Sequence, residues 1–256
     1  MKIIVAIKQV PERDTPVRID SGGKWIEETD LQWTMNESDA YALEEALQLK
    51  EKDGGEVVVV SAGPERVGST IREALAKGAD RAIHIECNDF AQRDALSVAR
   101  LLAEAIKPES PDLVLTGLQS DDLGYGQTGV ILAELLELPH VSLILHVEKT
   151  GTLLHVKREL EEGWFQNIEL PLPAVLTIQS GGNKLRYATL MGIKRAKTKE
   201  VRRVTPADLG VPASAVAILE HIAQPQKQKS TQILPGPAKD AAAALVEKLK
   251  FEVRVL

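Results

Sequence analysis

The stretch Asp112-Leu113-Val114-Leu115-Thr116-Gly117-Leu118, continued by Gln119-Ser120-Asp121-Asp122-Leu123-Gly124-Tyr125-Gly126-Gln127-Thr128-Gly129-Val130, decides how the chain is read. A short apolar run with Val114 and Leu115 at its centre reads as a strand. A glycine-rich connection follows it, and Thr128 to Leu136 reads as a helix. Open parallel sheets place ligands at this junction, beyond the carboxyl end of a strand and before the next helix. Gly124, Gly126 and Gly129 allow close backbone approach and unusual dihedrals. Free N–H groups near Gly126 to Gly129, at a helix start, can hold phosphate oxygens, and Thr128 can add a hydroxyl donor. No lysine follows at the P-loop position, and no GxGxxG follows the first strand. Two readings therefore stand: a phosphate cradle or an ordinary connection. Asp121 and Asp122 would repel an adjacent phosphate, so they bond to loop amides, hold a ribose hydroxyl or face solvent.

Working outward, the same strand–helix rhythm fills the first half. Ile3 to Ile7 has the composition of a strand buried on both faces. Asn36 is placed to cap a helix running to about Lys52, with Ala40, Leu43, Ala46 and Leu47 as its apolar stripe. Gly54-Gly55 ends that helix before a strand at Val57 to Val60. Gly63-Pro64 opens a helix carrying Val67, Ile71, Ala74 and Leu75, which Gly78 stops. Arg81 to Ile85 reads as a strand and Ala91 to Ile106 as a helix. Strands alternating with amphipathic helices predict parallel pairing with right-handed crossovers, hence a layered α/β domain with a mostly parallel sheet.

Beyond His140 the rhythm changes. Ser142 to Val147 and Thr152 to Arg158 are expected to pair as a hairpin through Gly151. Phe165 to Leu170 is a further strand, and the continuously apolar Ala174 to Ile178 a central one, with Pro171 and Pro173 between them. Tyr187 to Lys197 reads as helical, and Pro206 follows another short strand. The division expected is an α/β domain over 1–205 and a C-terminal arm over 206–256. Within the arm, Ala213 to His221 and Ala241 to Lys250 are helix candidates joined by the polar Gln224 to Thr231, and the arm packs on this subunit or on a partner.

Composition narrows the function. A chain of 256 residues with 44% hydrophobic residues can bury a large core, and Cys87, its single cysteine, excludes an internal disulfide and suits a reducing compartment. No secretory signal and no membrane-length apolar segment is present, so the expected location is the cytoplasm. A net charge of -6 and 4% aromatics argue against nucleic-acid binding. Lys194, Arg195, Lys197, Lys199, Arg202 and Arg203 form a local basic run, read either as a solvated helix end and strand or as a docking surface for an acidic partner. Ala6 and Ala62, small residues at strand ends, let a flat base lie close to the backbone; Asn36 either joins that crevice or only caps its helix. No hydrolytic or transfer mechanism, catalytic residue or metal site emerges from the five histidines, Cys87 or the carboxylates.

An ordered series of motifs carries a resemblance over roughly Met1 to Gly210: V-A-I-K at Val5 to Lys8, S-A-G-P at Ser61 to Pro64, E-A-L-A-K-G-A-D-R at Glu73 to Arg81, D-D-x-x-x-x-Q-T-G at Asp121 to Gly129, K-R-E-L-E-x-G at Lys157 to Gly163, P-A-V-L-T at Pro173 to Thr177 and R-Y-A-T-L at Arg186 to Leu190. The chain resembles the β subunits of electron transfer flavoproteins. The resemblance implies a three-layer fold of the adenine-nucleotide α-hydrolase-like type, shared with universal stress proteins. It implies a heterodimer with an α subunit that holds most of the FAD site, while the β subunit binds AMP and has no autonomous catalytic activity. Ala6, Asn36, Glu37, Ser38, Asp39, Ala62 and the run from Gln119 to Val130 match the family's AMP-contacting positions.

The segment Asn183 to Ala196 matches the family's recognition loop, with Leu190 as the anchor for acyl-CoA or related dehydrogenases. Arg186, Tyr187, Lys194, Arg195 and Lys197 surround it. The role implied is electron transport in fatty acid oxidation, from a dehydrogenase through α-bound FAD to a quinone-linked or other acceptor, with the arm on the α subunit. One alternative is a bifurcating or nitrogen-fixation-associated relative holding a second FAD in place of AMP. Its loop usually reads D-G-D-x-A-Q-V-G, and Leu123 and Tyr125 here depart from both patterns. Another alternative is a nucleotide-sensing stress protein.

Overall fold

The computed structural model describes residues 1–212, 215–225 and 231–255. The strands are β1 (Lys2–Ala6), β2 (Gln9–Pro11), β3 (Trp33–Met35), β4 (Glu56–Gly63), β5 (Arg81–Glu86), β6 (Leu113–Gly117), β7 (His140–Thr150), β8 (Leu153–Glu159), β9 (Phe165–Pro171), β10 (Ala174–Ile178) and β11 (Val201–Val204). The helices are α1 (Glu37–Asp53), α2 (Gly68–Lys77), α3 (Ala95–Ile106), α4 (Thr128–Leu135), α5 (Leu190–Ala196) and α6 (Ala238–Lys248). Nine strands form one sheet in the order β11-β5-β4-β1-β6-β10-β7-β8-β9. Pairing is parallel from β11 to β7 and antiparallel through β7, β8 and β9.

Strand side chains alternate between faces, and here both faces are apolar. Ile3 and Val5 join Leu43, Ala46, Ile71 and Leu75 under α1 and α2. Ile4 and Ala6 join Ala99, Leu102, Leu132 and Ala133 under α3 and α4. This is the expected three-layer, mostly parallel α/β architecture, and β10 is central as its composition predicts, every residue buried. The chain lays β4 and β5 to one side of β1 and β6 and β10 to the other, so the direction of winding reverses between β1 and β6. A crevice opens beyond the carboxyl ends of strands at such a reversal.

Three expected helices differ. The one expected from Ala91 starts only at Ala95, because the extended Asp94 caps it by accepting the Ser97 N–H at 2.8 Å. The one expected over Tyr187 to Lys197 is confined to Leu190–Ala196, begun by Thr189, whose hydroxyl accepts the Gly192 N–H at 3.0 Å. Of the stretch Ala213 to His221, residues 215–221 contain no helix, since the Val216 and Ala217 amides are both taken by Asp94 Oδ2, at 2.8 and 2.9 Å; Ala213 and Ser214 lie outside the described residues. Part of the polar Gln224 to Thr231 connection, 226–230, also lies outside them.

The chain divides into two compact units, Met1–Ile222 and Ala223–Leu256, so the first runs past the boundary expected at residue 205. The second unit contains α6 and a π-helical turn at Leu249–Val253, and none of these residues is buried. Ile233, Phe251, Val253 and Val255 are all exposed in it. At the far ends of the strands of the first unit, Arg81 bridges Glu56 and Glu109, and Lys2 and Arg202 close on Glu109 as well.

Candidate functional site

The crevice between β1 and β6 is a cleft with about 820 Å³ of open space. Its floor is Ala6, Ala62 and Thr116 at the strand ends; Leu123 and Tyr125 to Gly129 close one side, and Phe90, Arg93, Asp94, Ala95, Val98 and Leu102 the other. The residues expected from sequence at Ala6, Asn36, Asp39, Ala62, Gln119, Ser120, Leu123, Tyr125, Gly126, Gln127, Thr128 and Gly129 all line it. Glu37, Ser38, Asp121, Asp122, Gly124 and Val130 do not; the first four instead hold the walls together.

Asn36 is the centre of that scaffold. It is 1% exposed, and its side chain does not cap α1. Nδ2 donates to the Gln119 carbonyl at 2.9 Å and to Ser38 Oγ at 3.0 Å, while Oδ1 accepts the Asp121 N–H at 2.9 Å. Ser38 Oγ donates to the same Gln119 carbonyl at 2.8 Å. The start of α1 is thus tied to the start of the loop by side chains whose hydrogen-bonding capacity is consumed inside the wall. Gly117, at the end of β6, has no room for a Cβ: it would run into Asp39 and Ser38.

Asp39 joins the two strands that bracket the reversal. It accepts the Lys8 N–H at 2.7 Å and the Gly117 N–H at 2.9 Å. Burial pushes its carboxyl up to about 7, against the pull of those amides, Asn36 and the Lys8 charge. The two loop aspartates are also settled. Asp122 accepts from Lys8 Nζ at 2.6 Å and from the Leu123 N–H at 2.7 Å, and Lys8 Nζ reaches Ser120 Oγ at 3.2 Å. Burial alone would raise the Asp122 carboxyl, but Lys8 and these donors hold it below its usual value. Asp121 accepts the Glu37 N–H at 3.2 Å and pairs with Arg13, which also pairs with Glu37. With both aspartates engaged by cations and amides, the negative charge that opposed phosphate binding is answered.

Gly126 adopts a left-handed φ of 62°, which turns the chain into α4. The first-turn N–H groups of α4 lack intrahelical acceptors by geometry, and Gln127 to Gly129, where the helix begins, line the cleft. The opposite wall escaped the sequence reading. Lys8 carries no role in the sequence beyond the V-A-I-K run, and Arg93 and Asp94 fall inside the stretch from Ala91 that reads as helix. Asp94 followed three residues later by Ser97, a capping spacing, was the available signal. Burial opposes ionisation of Asp94, but the Ala217, Ser97 and Val216 donors outweigh it and bring the carboxyl to about 2.

The expected docking segment is separate from the cleft. Arg186 is engaged with Glu44 and Glu51 on α1, and Asn183 Nδ2 donates to Glu45 Oε2 at 2.7 Å. Beyond that anchor Tyr187 is 93% and Leu190 84% exposed, flanked by exposed Met191 and Ile193. The basic run splits: Lys199 donates to the Leu75 and Ala79 carbonyls, Arg202 pairs with Glu109 and Arg203 with Glu86, whereas Lys194, Arg195 and Lys197 are exposed. Among the described residues, no helix is long and apolar enough to cross a membrane.

A family model described as an electron transfer flavoprotein domain matches residues 24–209. The chain is 40% identical over 257 residues to the electron transfer flavoprotein subunit beta of Methylophilus methylotrophus, covering 96% of this chain and 97% of that one. It is 37% identical over 259 residues to the mitochondrial electron transfer flavoprotein subunit beta of Oryza sativa subsp. japonica, covering 100% of both. The Bacillus subtilis (strain 168) electron transfer flavoprotein subunit beta is 34% identical over 260 residues, again across 100% of both.

Proposed function

The chain belongs to the electron transfer flavoprotein β-subunit family, and we propose that it binds AMP in the β1–β6 cleft and docks dehydrogenases through Leu190, passing electrons by way of an α-subunit partner. The observation that carries the nucleotide half is the cleft itself: small residues at Ala6 and Ala62 beneath one end, and the α4 N-terminus at Gln127 to Gly129 at the other. A planar base fits over the first, and phosphate oxygens fit the unsatisfied amides and helix dipole of the second, with Thr128 as an added donor. The loop scaffold built by Asn36, Ser38, Asp121 and Asp122 positions those amides, so the nucleotide acts as a structural element.

FAD, held mainly by the α subunit, supplies the redox chemistry when bound. This chain's contribution is geometric: the exposed Leu190 offers an apolar anchor, and Lys194, Arg195 and Lys197 attract an acidic partner surface. The unburied apolar side chains of the Ala223–Leu256 unit fit an arm that packs on the α subunit. We place the complex in the cytoplasm and its task in fatty acid oxidation. Co-expression with the α subunit, purification and quantification of released nucleotides test the reading. One FAD and one AMP per heterodimer support it; two FAD and no AMP overturn it in favour of a bifurcating relative.

A further inference from the structure

The α3 side of the cleft holds a charged group that the nucleotide reading leaves unused. Arg93 lines the cleft, yet its side chain is 1% exposed. Asp89 fixes the guanidinium: Nε donates to Oδ1 at 2.9 Å and Nη2 to Oδ2 at 2.8 Å. Among the described residues Nη1 has no acceptor. A buried donor on a charged group without a partner is destabilising by more than an ordinary hydrogen bond gains, and buried polar atoms left so are rare. The orientation of the orphan is not accidental side-chain freedom, because the bidentate pair with Asp89 sets the plane of the fork.

The surroundings say what kind of atom completes it. Phosphate is served at the opposite wall, by the α4 amides. On the Arg93 side the cleft is lined by Phe90, Ala95, Val98 and Leu102, with Ala6 and Ala62 at the strand ends, and the one carboxylate of that wall, Asp94, is taken by the Ser97, Val216 and Ala217 amides, which leaves a mainly apolar slot for a flat ring. Asp89 already neutralises the guanidinium, so a second anion gains little there, while a neutral acceptor gains a charge-assisted bond. We propose that Arg93 reads the base, its Nη1–H donating to a ring nitrogen of the purine seated in this slot. Arg93 thereby selects, among flat aromatic rings that the apolar slot alone would admit, those that present a lone pair at that edge. A site built to hydrogen-bond a ligand atom rejects analogues lacking it, because its own buried group is then left unpaired.

The inference rests on the cleft being the nucleotide site, and the test separates the two. The co-purified complex is stripped of nucleotide, and binding of AMP is compared with that of 1-deaza-, 3-deaza- and 7-deaza-AMP, each of which replaces one ring nitrogen by C–H. One analogue should bind about tenfold to a hundredfold more weakly than AMP, the range for a hydrogen bond to a charged group. In Arg93→Met and Arg93→Lys, AMP should weaken and the discrimination against that analogue should vanish, the coupling expected of a direct contact. The wild-type series stands even where neither variant folds. Equal binding of AMP and all three analogues overturns the role of Arg93 while leaving the nucleotide site intact. Failure of wild type to bind AMP strikes the reading of the cleft itself.

Discussion

Arg186 and Glu44 form a two-point clamp, Nε to Oε2 at 2.8 Å and Nη2 to Oε1 at 3.0 Å, and Nη1 of the same guanidinium reaches Glu51 at 2.6 Å, about two turns further along α1. The clamp fastens the exposed docking segment to the helix whose first turn walls the cleft. Burial would raise the Glu44 carboxyl, but Arg186 outweighs it and holds the group ionised.

Because Glu44 is buried, and without it Arg186 keeps only its two-point contact with the exposed Glu51, Glu44→Ala should destabilise the chain by about 1–3 kcal/mol. It should also slow dehydrogenase-driven reduction of the heterodimer while leaving bound AMP in place. Urea unfolding with an unchanged m-value and a nucleotide assay check the two halves. A stability change below about 0.5 kcal/mol, the range of a neutral surface substitution, would remove the clamp from the account.

Leu190→Ala separates docking from folding. At 84% exposure the side chain contributes little to the fold, and an apolar anchor in a partner pocket contributes about 2 kcal/mol or more to binding, roughly thirtyfold in affinity. Stopped-flow reduction by a dehydrogenase should therefore become much less efficient, with heterodimer yield and melting temperature unchanged. Wild-type kinetics from this variant would count against the docking role.

The pH dependence of stability should carry the mark of Glu45. Its carboxyl is pushed up to about 7, by burial first and by Glu44 next, whereas in the unfolded chain it titrates near its ordinary value of about 4.3. Between those values the native state holds a proton that the unfolded chain has released, so stability falls as pH rises through the window. Above it both states are ionised and the full penalty is present; below it both are neutral and the penalty is absent. Glu45→Gln, which keeps an acceptor for Asn183, should gain stability relative to wild type at pH 8 and lose that advantage by pH 4. A pH-independent difference between the two proteins would show that Glu45 is not the source.

The Lys8–Asp122 pair pins the glycine-rich loop over the cleft. Lys8→Met should leave the sheet intact, since the stem of the side chain is retained, but release the loop. Faster amide exchange across residues 119–127 and a nucleotide off-rate raised about fivefold to tenfold, equivalent to roughly 1 kcal/mol, are the expected readouts. Unchanged exchange in that window would mean that Asn36 and Ser38 hold the loop unaided.

The layered architecture is legible because continuous apolar runs alternate with helical apolar stripes in the first half and the turns are marked by glycine. What the sequence concealed were choices between equivalent hydrogen bonds. Asn36 stands where a cap belongs, yet Gln119 and Asp121, some eighty residues away, offered its amide better partners. The stretch before Ala95 looks helical by composition, yet it holds only a single 3-10 turn at Phe90–Gln92 before Arg93 and Asp94 become extended, with the Asp94 carboxylate claimed by Ser97, Val216 and Ala217. That local break is what delivers Arg93 to the cleft. The basic run from Lys194 to Arg203 shows the same limit: sequence supplies the charges, and only the fold decides which are answered internally.

That partition gives the two halves of the run different sensitivities to the medium. Lys199 and Arg202 are half-buried and matched at short range within the chain, where intervening ions have less access, while Arg203 sits in an exposed ion pair that salt can reach. Lys194, Arg195 and Lys197 act outward across water, over distances comparable with a screening length of about 8 Å at physiological ionic strength and about 3 Å at 1 M. Ionic strength therefore addresses encounter with partners well before it addresses architecture, and the same short basic stretch answers to salt in one half and to packing in the other.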